Sequence, residues 1–565
     1  MPKIDVSLKD LKKLVGRCFD EKELEEALLF AKCEIEKLDG NNLQLDVKDS
    51  NRPDLWSVEG VAREVAGRFG KTGCPNYVAK DSGIVVNVDG ESKIKSVRPY
   101  TVCAVMRGLT ITEDVMLQII QLQEKVAVTF GRNRKEIAIG IYDLHKIKSP
   151  IKYTTVKPDG IKFIPLSDET ATYNAMTPAE ILQKHPKGKE FAHLLGGCEE
   201  YPIFIDAAGE VLSMPPVINS DHTGKVTEKT KDVFIECSGF ELKFLLPALN
   251  VMVCCLADRG GVIEGVKVNL PDNYQMKSLE TPVLDKKSFV VDMEKTKLSG
   301  LNLSEKEIKE LLEQARYDVT IKNGKIDVKY PCYRQDIMHW RDVVEDVIIS
   351  YGYNKIEPAE LRMITVGSLD DKEKFLNNVA EILVGCGLQE VLSYNLTNKD
   401  YLLQKMRLHN EKLVEIENFV SSSWSVFRNW LIPSALEFLS KNKHNEYPQN
   451  VFEIGDVFMP NEKQENRVSE PKHLCVAITD NVINYEQLTS YLDAVMRLLE
   501  VEYKLEACEH NSFIGGRVAD IIVDGKMVGV IGEIHPQVLN NWEIEKSVAS
   551  FELNLEELYK DISIR

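Results

Sequence analysis

The stretch from Pro331 to Ile356 constrains the fold most, because within it the chain must change from an extended segment to a helix. Pro331 disfavours helical backbone at the residue before it, so the preceding segment IDVKY is predicted to be a strand. From Asp342 onward the apolar residues recur at helical spacing up to Gly352, a natural stop; they are Val343, Val344, Val347, Ile348 and Tyr351. The stretch therefore predicts a strand followed by an amphipathic helix.

Four acidic side chains in this stretch have a spacing that suits a divalent cation. Asp342, Glu345 and Asp346 share one side of the predicted helix, and Asp336 precedes them near the turn. Crowded carboxylates repel one another unless a hydrated cation, a basic partner or protons neutralise them, and an all-oxygen ligand set favours Mg²⁺ over zinc. Alternatively, acids near a helix N-terminus complement the helix dipole and stay solvated. Spacing alone leaves both interpretations open.

Length, charge and cysteine usage limit the class of protein. The 565 residues exceed one hydrophobic core and predict roughly three to five domains. A net charge of −18 argues against non-specific nucleic-acid binding, so RNA would have to meet local patches or another subunit. Twelve scattered cysteines without a CxxC pair argue against zinc and for a reducing compartment. No apolar run approaches the roughly 20 residues that span a bilayer, so we expect a soluble, cytoplasmic protein.

Hydrophobic periodicity predicts a multidomain α+β fold in four segments. Residues 1–83 form a small N-terminal α+β module, and residues 84–275 form a strand-rich α+β domain whose curved sheet could hold a cleft. Residues 276–357 place a strand between two helices, which suggests a winged-helix-like domain; its acidic second helix speaks against DNA binding. Residues 358–565 form a last α+β domain.

Local start and turn signals support these segments. Ser7 with Asp10 three residues later predicts a helix start, and so does Thr177 followed by Pro178 and Glu180. The pair at positions 524–525, Asp-Gly, predicts a tight hairpin turn.

Two further patches are candidates for binding. Glu236 and Ser238 lie two residues apart on a predicted strand, so they share a face and could line a pocket with the turn that follows Ser213. A carboxylate beside hydroxyls suits recognition of a hydroxyl group, although ordinary turn and cap chemistry explains the same residues. The basic turn GRNRK is either a solvated loop or an RNA-backbone contact, through Arg132, Arg134 and Lys135. No P-loop, GxGxxG or GxSxG motif supports a phosphate cradle or a hydrolase elbow.

Five motifs together closely resemble, in this order, the β subunits of archaeal- and eukaryotic-type cytoplasmic phenylalanyl-tRNA synthetases. They are NRPDLWSVEGVAREVAG, GRNRKEIAIGIYDL, VLSMPPVINSDHTGKVTEKTKDVFIECSG, YRQDIMHWRDVVEDVIISYGYNKI and FIGGRVADIIVDGKMVGVIGEIHPQVL. The resemblance covers essentially the whole chain. It implies an (αβ)₂ heterotetramer that makes Phe-tRNA from phenylalanine, ATP and tRNA(Phe).

The resemblance also implies a role for each segment. The first is an accessory module, the second edits mischarged tRNA, and the third is winged-helix-like. The last resembles a class II synthetase core, an antiparallel-sheet domain, that has lost catalysis. Between Pro358 and Arg565 the sequence has neither of the class II arginine patterns for ATP, which places ATP-dependent activation in an α subunit.

The resemblance decides between the two interpretations of the acidic stretch. Residue by residue, it places a Mg²⁺ site shared with the α subunit on Asp336, Asp342, Glu345 and Asp346, a complete D-x5-D-x2-E-D match.

Editing is expected because a pocket for phenylalanine cannot strongly reject an isostere that adds only a hydroxyl. The resemblance places the pocket that hydrolyses Tyr-tRNA on Phe204, Ser213, Glu236 and Ser238. Phe204 is bulkier than the aliphatic residue of the family pattern, and Ser238 replaces a threonine. The alternative is a non-enzymatic scaffold for assembly and tRNA docking in which editing has decayed.

Overall fold

A computed structural model describes residues 2–167, 172–297, 300–358, 360, 363–409 and 411–564. The chain forms two compact units, Met1–Ala359 and Glu360–Arg565. Each unit combines sheets with helices, which confirms the predicted multidomain α+β class. Within the described residues, no helix is both long and apolar enough to cross a membrane.

The N-terminal part of the first unit consists of three strands and three helices: β1 (Lys3–Ser7), α1 (Leu8–Val15), α2 (Glu21–Leu29), β2 (Cys33–Asp39), β3 (Asn42–Val47) and α3 (Val58–Arg68). The strands form an antiparallel sheet in the order β1-β3-β2. Ser7 caps α1 by accepting a hydrogen bond from the backbone N–H of Asp10, as predicted.

The middle part of the first unit is built on a ten-stranded sheet. Its elements are β4 (Lys80–Val88), α4 (Ile94–Val97), β5 (Tyr100–Arg107), α5 (Glu113–Val128), β6 (Ile137–Asp143), β7 (Ile151–Val156), α6 (Pro178–Lys184), α7 (Pro186–Phe191), β8 (Tyr201–Ile205), β9 (Val211–Met214), β10 (Ile218–Asn219), α8 (Asp221–Gly224), β11 (Val233–Gly239), α9 (Leu242–Asp258), β12 (Val262–Asn269) and β13 (Ser278–Thr281). The order is β10-β9-β8-β7-β4-β12-β5-β11-β6, with β13 beside β12. Thr177 and Glu180 form the predicted capping box of α6.

In this sheet β11 lies between β5 and β6 and is buried along its whole length. Its antiparallel pairing places Glu236 opposite Gly140 of β6 and Cys103 of β5. Helix α9 packs on β5 and β11 and supplies much of the apolar core. The sheet therefore holds a carboxylate in the interior of the domain, where few groups can reach it.

The last part of the first unit is a small sheet with three helices: β14 (Lys287–Asp292), α10 (Met293–Thr296), α11 (Glu305–Gln314), β15 (Asp318–Lys322), β16 (Lys325–Tyr330) and α12 (Trp340–Tyr351). The strands pair antiparallel in the order β14-β16-β15. Helix α12 begins at Trp340, two residues before the predicted start. Asp342 instead occupies the third helical position, where its carboxylate completes a capping box with His339.

The second unit is organised by a seven-stranded sheet. Its elements are α13 (Asp371–Gly385), β17 (Gln389–Glu390), β18 (Leu396–Thr397), β19 (Val426–Phe427), α14 (Ile432–Lys441), β20 (Gln449–Asp456), β21 (Met459–Pro460), β22 (Val468–Ser469), β23 (Lys472–Asp480), α15 (Tyr485–Leu498), β24 (Lys504–Ala507), β25 (Phe513–Val523), β26 (Lys526–Ile534), α16 (Pro536–Asn541), β27 (Ser547–Asn554) and α17 (Leu555–Ile564). The order β17-β20-β23-β27-β26-β25-β24 is antiparallel except between β17 and β20. Asp524 and Gly525 both have positive φ and turn β25 into β26, as predicted.

Candidate functional site

A cavity of about 400 Å³ lies beside the ten-stranded sheet of the first unit. Apolar side chains of α5 and β6 and the turn at Pro215 and Pro216 form much of its wall. Several polar side chains also line it: Arg134, His185, Ser213 and Glu236. A largely apolar cavity with a few polar groups is typical of sites that bind small organic groups.

Glu236 is the buried acid of this cavity wall, with 2% of its surface exposed. Burial raises the pKa of Glu236 to about 7, and Tyr142, Arg98 and Ser238 partly oppose that shift. Its Oε1 atom is hydrogen-bonded to Tyr142, whereas Oε2 has no hydrogen-bond partner among the described residues. The carboxylate therefore retains one oxygen that a ligand hydroxyl could meet.

Tyr142 of β6 joins the two polar residues that the sequence singled out. Its hydroxyl lies 2.7 Å from Ser213 Oγ and 3.1 Å from Glu236 Oε1. Sequence reasoning missed this residue, although it stands within the GIYDL part of a recognised motif. Tyr142 shares a strand face with Gly140, the residue opposite Glu236, and that alternation is the signal that could have found it.

The other two predicted pocket residues lie outside the cavity wall. The Ser238 hydroxyl accepts a hydrogen bond from Arg98 Nε at 3.2 Å, which ties it to a buried guanidinium. Phe204 is fully buried and its ring stacks on Tyr153, with centroids 4.3 Å apart. The sheet does bring Phe204 close, because it pairs with Ser213 between β8 and β9. Ser213 and Glu236 thus line the cavity, while Ser238 and Phe204 support neighbouring parts of the sheet.

The GRNRK turn contributes to the same wall through one of its three cations. Arg134 donates from Nη1 to the carbonyl oxygens of Pro216 and Val217, at 3.3 and 3.1 Å, and its guanidinium lies 4.2 Å from the ring centre of Phe191. Burial lowers the pKa of Arg134. Arg132 and Lys135 are exposed, so they alone among the three present their charges to solvent.

The backbone of this turn is held in an unfavourable conformation. Arg132, Asn133 and Arg134 have φ values of 49°, 54° and 65°, in the left-handed region that side chains with a Cβ atom rarely adopt. Arg98 fixes the turn by donating from its guanidinium to the carbonyl oxygens of Arg134 and Lys135. Arg98 therefore connects the basic turn to Ser238 on β11.

Two of the four acids of the third segment meet at a buried arginine. Arg334 lies 2.7 Å from Asp336 through Nε and 2.8 Å from Asp346 through Nη2. Tyr317 donates a hydrogen bond of 2.6 Å to Asp346, and Arg52 of the N-terminal part lies 3.7 Å from Asp336. Burial alone would raise the pKa of Asp336, but Arg334 and Arg52 hold it well below its usual range.

The other two acids face different partners. Asp342 accepts hydrogen bonds from the backbone N–H groups of Met338 and His339, at 2.8 and 2.6 Å. Glu345 pairs with Lys32 of the N-terminal part at 3.2 Å. Among the described residues, no group of three or more His, Cys, Asp or Glu side chains is arranged to hold a metal ion. In this chain by itself, basic and N–H partners neutralise the four acids, so they do not fit a complete Mg²⁺ site.

Comparison with known proteins agrees with this architecture. Three family models match: "B3/4 domain" at residues 111–245, "tRNA synthetase B5 domain" at 292–353, and "Phenylalanyl tRNA synthetase beta chain CLM domain" at 359–555. The phenylalanine–tRNA ligase beta subunit of Pyrococcus abyssi is 49% identical, over 99% of this chain and 100% of that protein. Its counterpart from Archaeoglobus fulgidus is 39% identical, over 98% of each.

A solved structure is similar to the first unit. The crystal structure of an N-terminal fragment of the phenylalanyl-tRNA synthetase beta subunit from Pyrococcus horikoshii is 49% identical, with a TM-score of 0.59, and the match covers 62% of this chain and 100% of that one. Identity of this level over nearly the full length, together with the three matching domains, leaves one assignment. The chain belongs to the phenylalanine–tRNA ligase beta-subunit family.

Proposed function

We propose that this chain is the subunit of phenylalanine–tRNA ligase that proofreads, and that its cavity hydrolyses Tyr-tRNA(Phe). The observation that carries the proposal is the free Oε2 atom of buried Glu236 in the cavity wall. A tyrosine hydroxyl can donate to this atom, whereas phenylalanine would leave this buried oxygen without a partner. Leaving a buried charged acceptor unsatisfied is costly, and sites built to bind a hydroxyl reject the analogue that lacks it.

The attack on the ester is assigned to water. The Ser213 hydroxyl is engaged by Tyr142, which makes it a poor nucleophile. A water molecule held near the ester by the terminal ribose would carry out the hydrolysis. In this arrangement the chain's own residues bind and orient the aminoacyl group and exclude bulk water from it.

Replacing Glu236 tests the proposal. In the assembled ligase, Glu236→Ala should slow Tyr-tRNA(Phe) deacylation about tenfold or more, because the hydrogen bond to a charged acceptor is lost. Glu228→Gln removes the charge of an exposed acid in the same domain and serves as the matched control. Wild-type deacylation by the Glu236 variant would remove Glu236 from the site. A wild-type complex that cannot deacylate Tyr-tRNA(Phe) would favour the scaffold alternative.

We further propose that the chain works with an α subunit in a cytoplasmic (αβ)₂ heterotetramer that charges tRNA(Phe) with phenylalanine at the expense of ATP. In the second unit, Arg428 and Glu453 are each 2% exposed and pair with each other at 2.7 Å. Their charges are satisfied internally, which supports placing ATP chemistry in the α subunit. The roles proposed for segments 1–83, 84–275, 276–357 and 358–565 are accessory, editing, winged-helix-like and non-catalytic core-like.

Two contacts with partners complete the proposal. Exposed Arg132 and Lys135 are proposed to contact the tRNA backbone near the cavity mouth, while Arg134 stays in the wall. A Mg²⁺ ion shared with the α subunit is proposed at the acidic patch, on the side of Asp342 and Glu345. Since the chain alone does not complete such a site, the remaining ligands would have to come from the α subunit or from solvent.

A further inference from the structure

Tyr142 stands between the two polar groups of the cavity wall without lining the cavity itself. Its side chain is fully buried, and its ring packs near Phe234 with centroids 6.0 Å apart. From this position its hydroxyl contacts Ser213 Oγ at 2.7 Å and Glu236 Oε1 at 3.1 Å. The chain thus places a phenol of its own on the residues proposed to recognise a substrate phenol.

The space for this arrangement comes from Gly140. A Cβ atom at position 140 would lie 2.1 Å from the Tyr142 hydroxyl oxygen and 2.8 Å from Glu236 Oε1. Both distances are far below van der Waals contact, so any larger residue would push the phenol away from the carboxylate. The requirement is one of space and not of backbone conformation, because Gly140 lies in a regular strand.

We propose that Tyr142 is a positioning residue that determines specificity: it engages one oxygen of Glu236 and leaves Oε2 as the single acceptor for the substrate hydroxyl. The inference rests on the proposed editing function and deepens it. An ionised carboxylate only accepts hydrogen bonds, so the Tyr142 hydroxyl donates to Glu236 Oε1, and Ser213 Oγ lies 2.7 Å from the same phenol oxygen. The carboxyl plane is thereby fixed, and phenylalanine finds an acceptor that it cannot satisfy.

Loss of the Tyr142 hydroxyl would remove this constraint. Glu236 could then rotate and bond to Ser213 or to a water molecule, and it would no longer depend on the substrate for its second hydrogen bond. Discrimination between Tyr-tRNA and Phe-tRNA should therefore weaken by about tenfold, since the two substrates differ by one hydrogen bond to a charged group. Tyr142 would affect the ratio of kcat/KM for Tyr-tRNA to that for Phe-tRNA more than the rate of hydrolysis itself.

The pH profile offers a readout that a purely structural role would not move. The groups that bear on Glu236 are Arg98, Tyr142, Ser238, Cys103, Cys237 and Tyr153. Burial raises the pKa of Glu236 to about 7, and the hydrogen bond from Tyr142 opposes that rise. Without that hydrogen bond the pKa should rise further, so the pH midpoint of Tyr-tRNA deacylation should move upward.

The test compares Tyr142→Phe with wild type in the assembled ligase. Deacylation of Tyr-tRNA(Phe) and of Phe-tRNA(Phe) is measured in buffers from about pH 6 to 9, and kcat and KM are determined separately for each substrate. Tyr77→Phe is the matched control, because it removes a phenol that donates to a carboxylate, Asp258, away from the cavity. Gly140→Ala is the second variant and should change the substrate ratio in the same direction as Tyr142→Phe.

A tenfold fall in the Tyr-to-Phe ratio of kcat/KM, with a higher pH midpoint and unchanged aminoacylation, supports the proposal. An unchanged ratio and midpoint in Tyr142→Phe, while wild type edits normally, overturns this inference and leaves the proposed function intact. Absence of Tyr-tRNA deacylation in wild type overturns both.

Discussion

The first unit holds two carboxylates, Glu236 and Asp336, in opposite electrostatic settings. Glu236 faces a cavity, is hydrogen-bonded to the neutral Tyr142 hydroxyl, and has a pKa that burial raises to about 7. Asp336 is only partly exposed, at 11% of its side chain, and there Arg334 and Arg52 hold its pKa well below the usual range. The comparison teaches that the charge of a buried acid is decided by its partners. The paired acid, Asp336, connects parts of the fold, whereas Glu236 keeps one carboxylate oxygen without a hydrogen-bond partner among the described residues.

The paired setting has a structural role that sequence alone does not suggest. Arg52 belongs to the N-terminal part, where it also bonds Asp54 and Glu64, and it approaches Asp336 of the third segment. Arg334 is 2% exposed. Two of the acids first singled out as possible metal ligands therefore help to join the first and third parts of one unit: Asp336 through Arg52, and Glu345 through Lys32.

The largest effect on stability is expected from removing Arg334, the cation that contacts both Asp336 and Asp346. Arg334→Ala would leave buried Asp346 and partly buried Asp336 without their main partner and should lower the free energy of unfolding by about 3–5 kcal/mol. Urea unfolding of the full chain measures this change. Arg341→Ala, which removes an exposed arginine of the same helix region, should have little effect. Equal stability of both variants would show that the pairing contributes nothing to the fold.

A pH titration distinguishes the two settings, because the change of stability with pH has opposite signs for Glu236 and Asp336. Because Glu236 has a raised pKa, the folded state binds more protons than the unfolded state between pH 4.5 and about 7, and stability falls as pH rises through that window. The total is about 3 kcal/mol at 1.36 kcal/mol per pKa unit. Asp336 behaves oppositely, since its lowered pKa gives stability that is present above pH 3.8 and lost as pH falls.

The measurement is urea unfolding at a series of pH values for wild type and Glu236→Gln. The Glu236→Gln variant should lose the decline between pH 4.5 and about 7 and keep the acid-side loss. Parallel curves for the two proteins would contradict the raised pKa of Glu236.

The smallest effect on stability is expected at the exposed edge of the acidic patch. Asp342→Ala with Glu345→Ala removes a helix cap and a half-exposed ion pair, and should cost about 1–2 kcal/mol. In the ligase complex the same double variant should need more Mg²⁺ for aminoacylation. Asp327→Ala with Glu310→Ala removes two exposed acids of the same segment as a control. An unchanged Mg²⁺ titration would reject the shared metal site.

Much of the fold could be predicted because its signals are local. The caps at Ser7 and Thr177 and the turn at Asp524 and Gly525 depend on residues within three or four positions, and the structure confirms all three. The start of α12 was predicted two residues late, because the cap is His339 and Asp342 completes it from inside the helix. Local chemistry therefore located the elements well and their ends less well.

The candidate site could be predicted only in part. Glu236 and Ser213 were found from strand alternation and motif resemblance, and both line the cavity. The Tyr142 contact could not be found that way. It depends on β6 lying beside β11 and on the space that Gly140, which has no side chain, leaves for the phenol. Arg134 was predicted as a possible RNA contact, but its guanidinium bonds the turn after Pro216.

The sequence by itself determined the α+β class, the family, and the identity of the acids that carry charge, since these depend on composition, periodicity and motif. Only the tertiary structure decided what each acid contacts. The energy of a buried carboxylate depends on the few groups within hydrogen-bonding distance, and strand order and helix packing bring those groups from distant parts of the chain. That is why Glu236 keeps a free oxygen while Asp336 is bound to arginine.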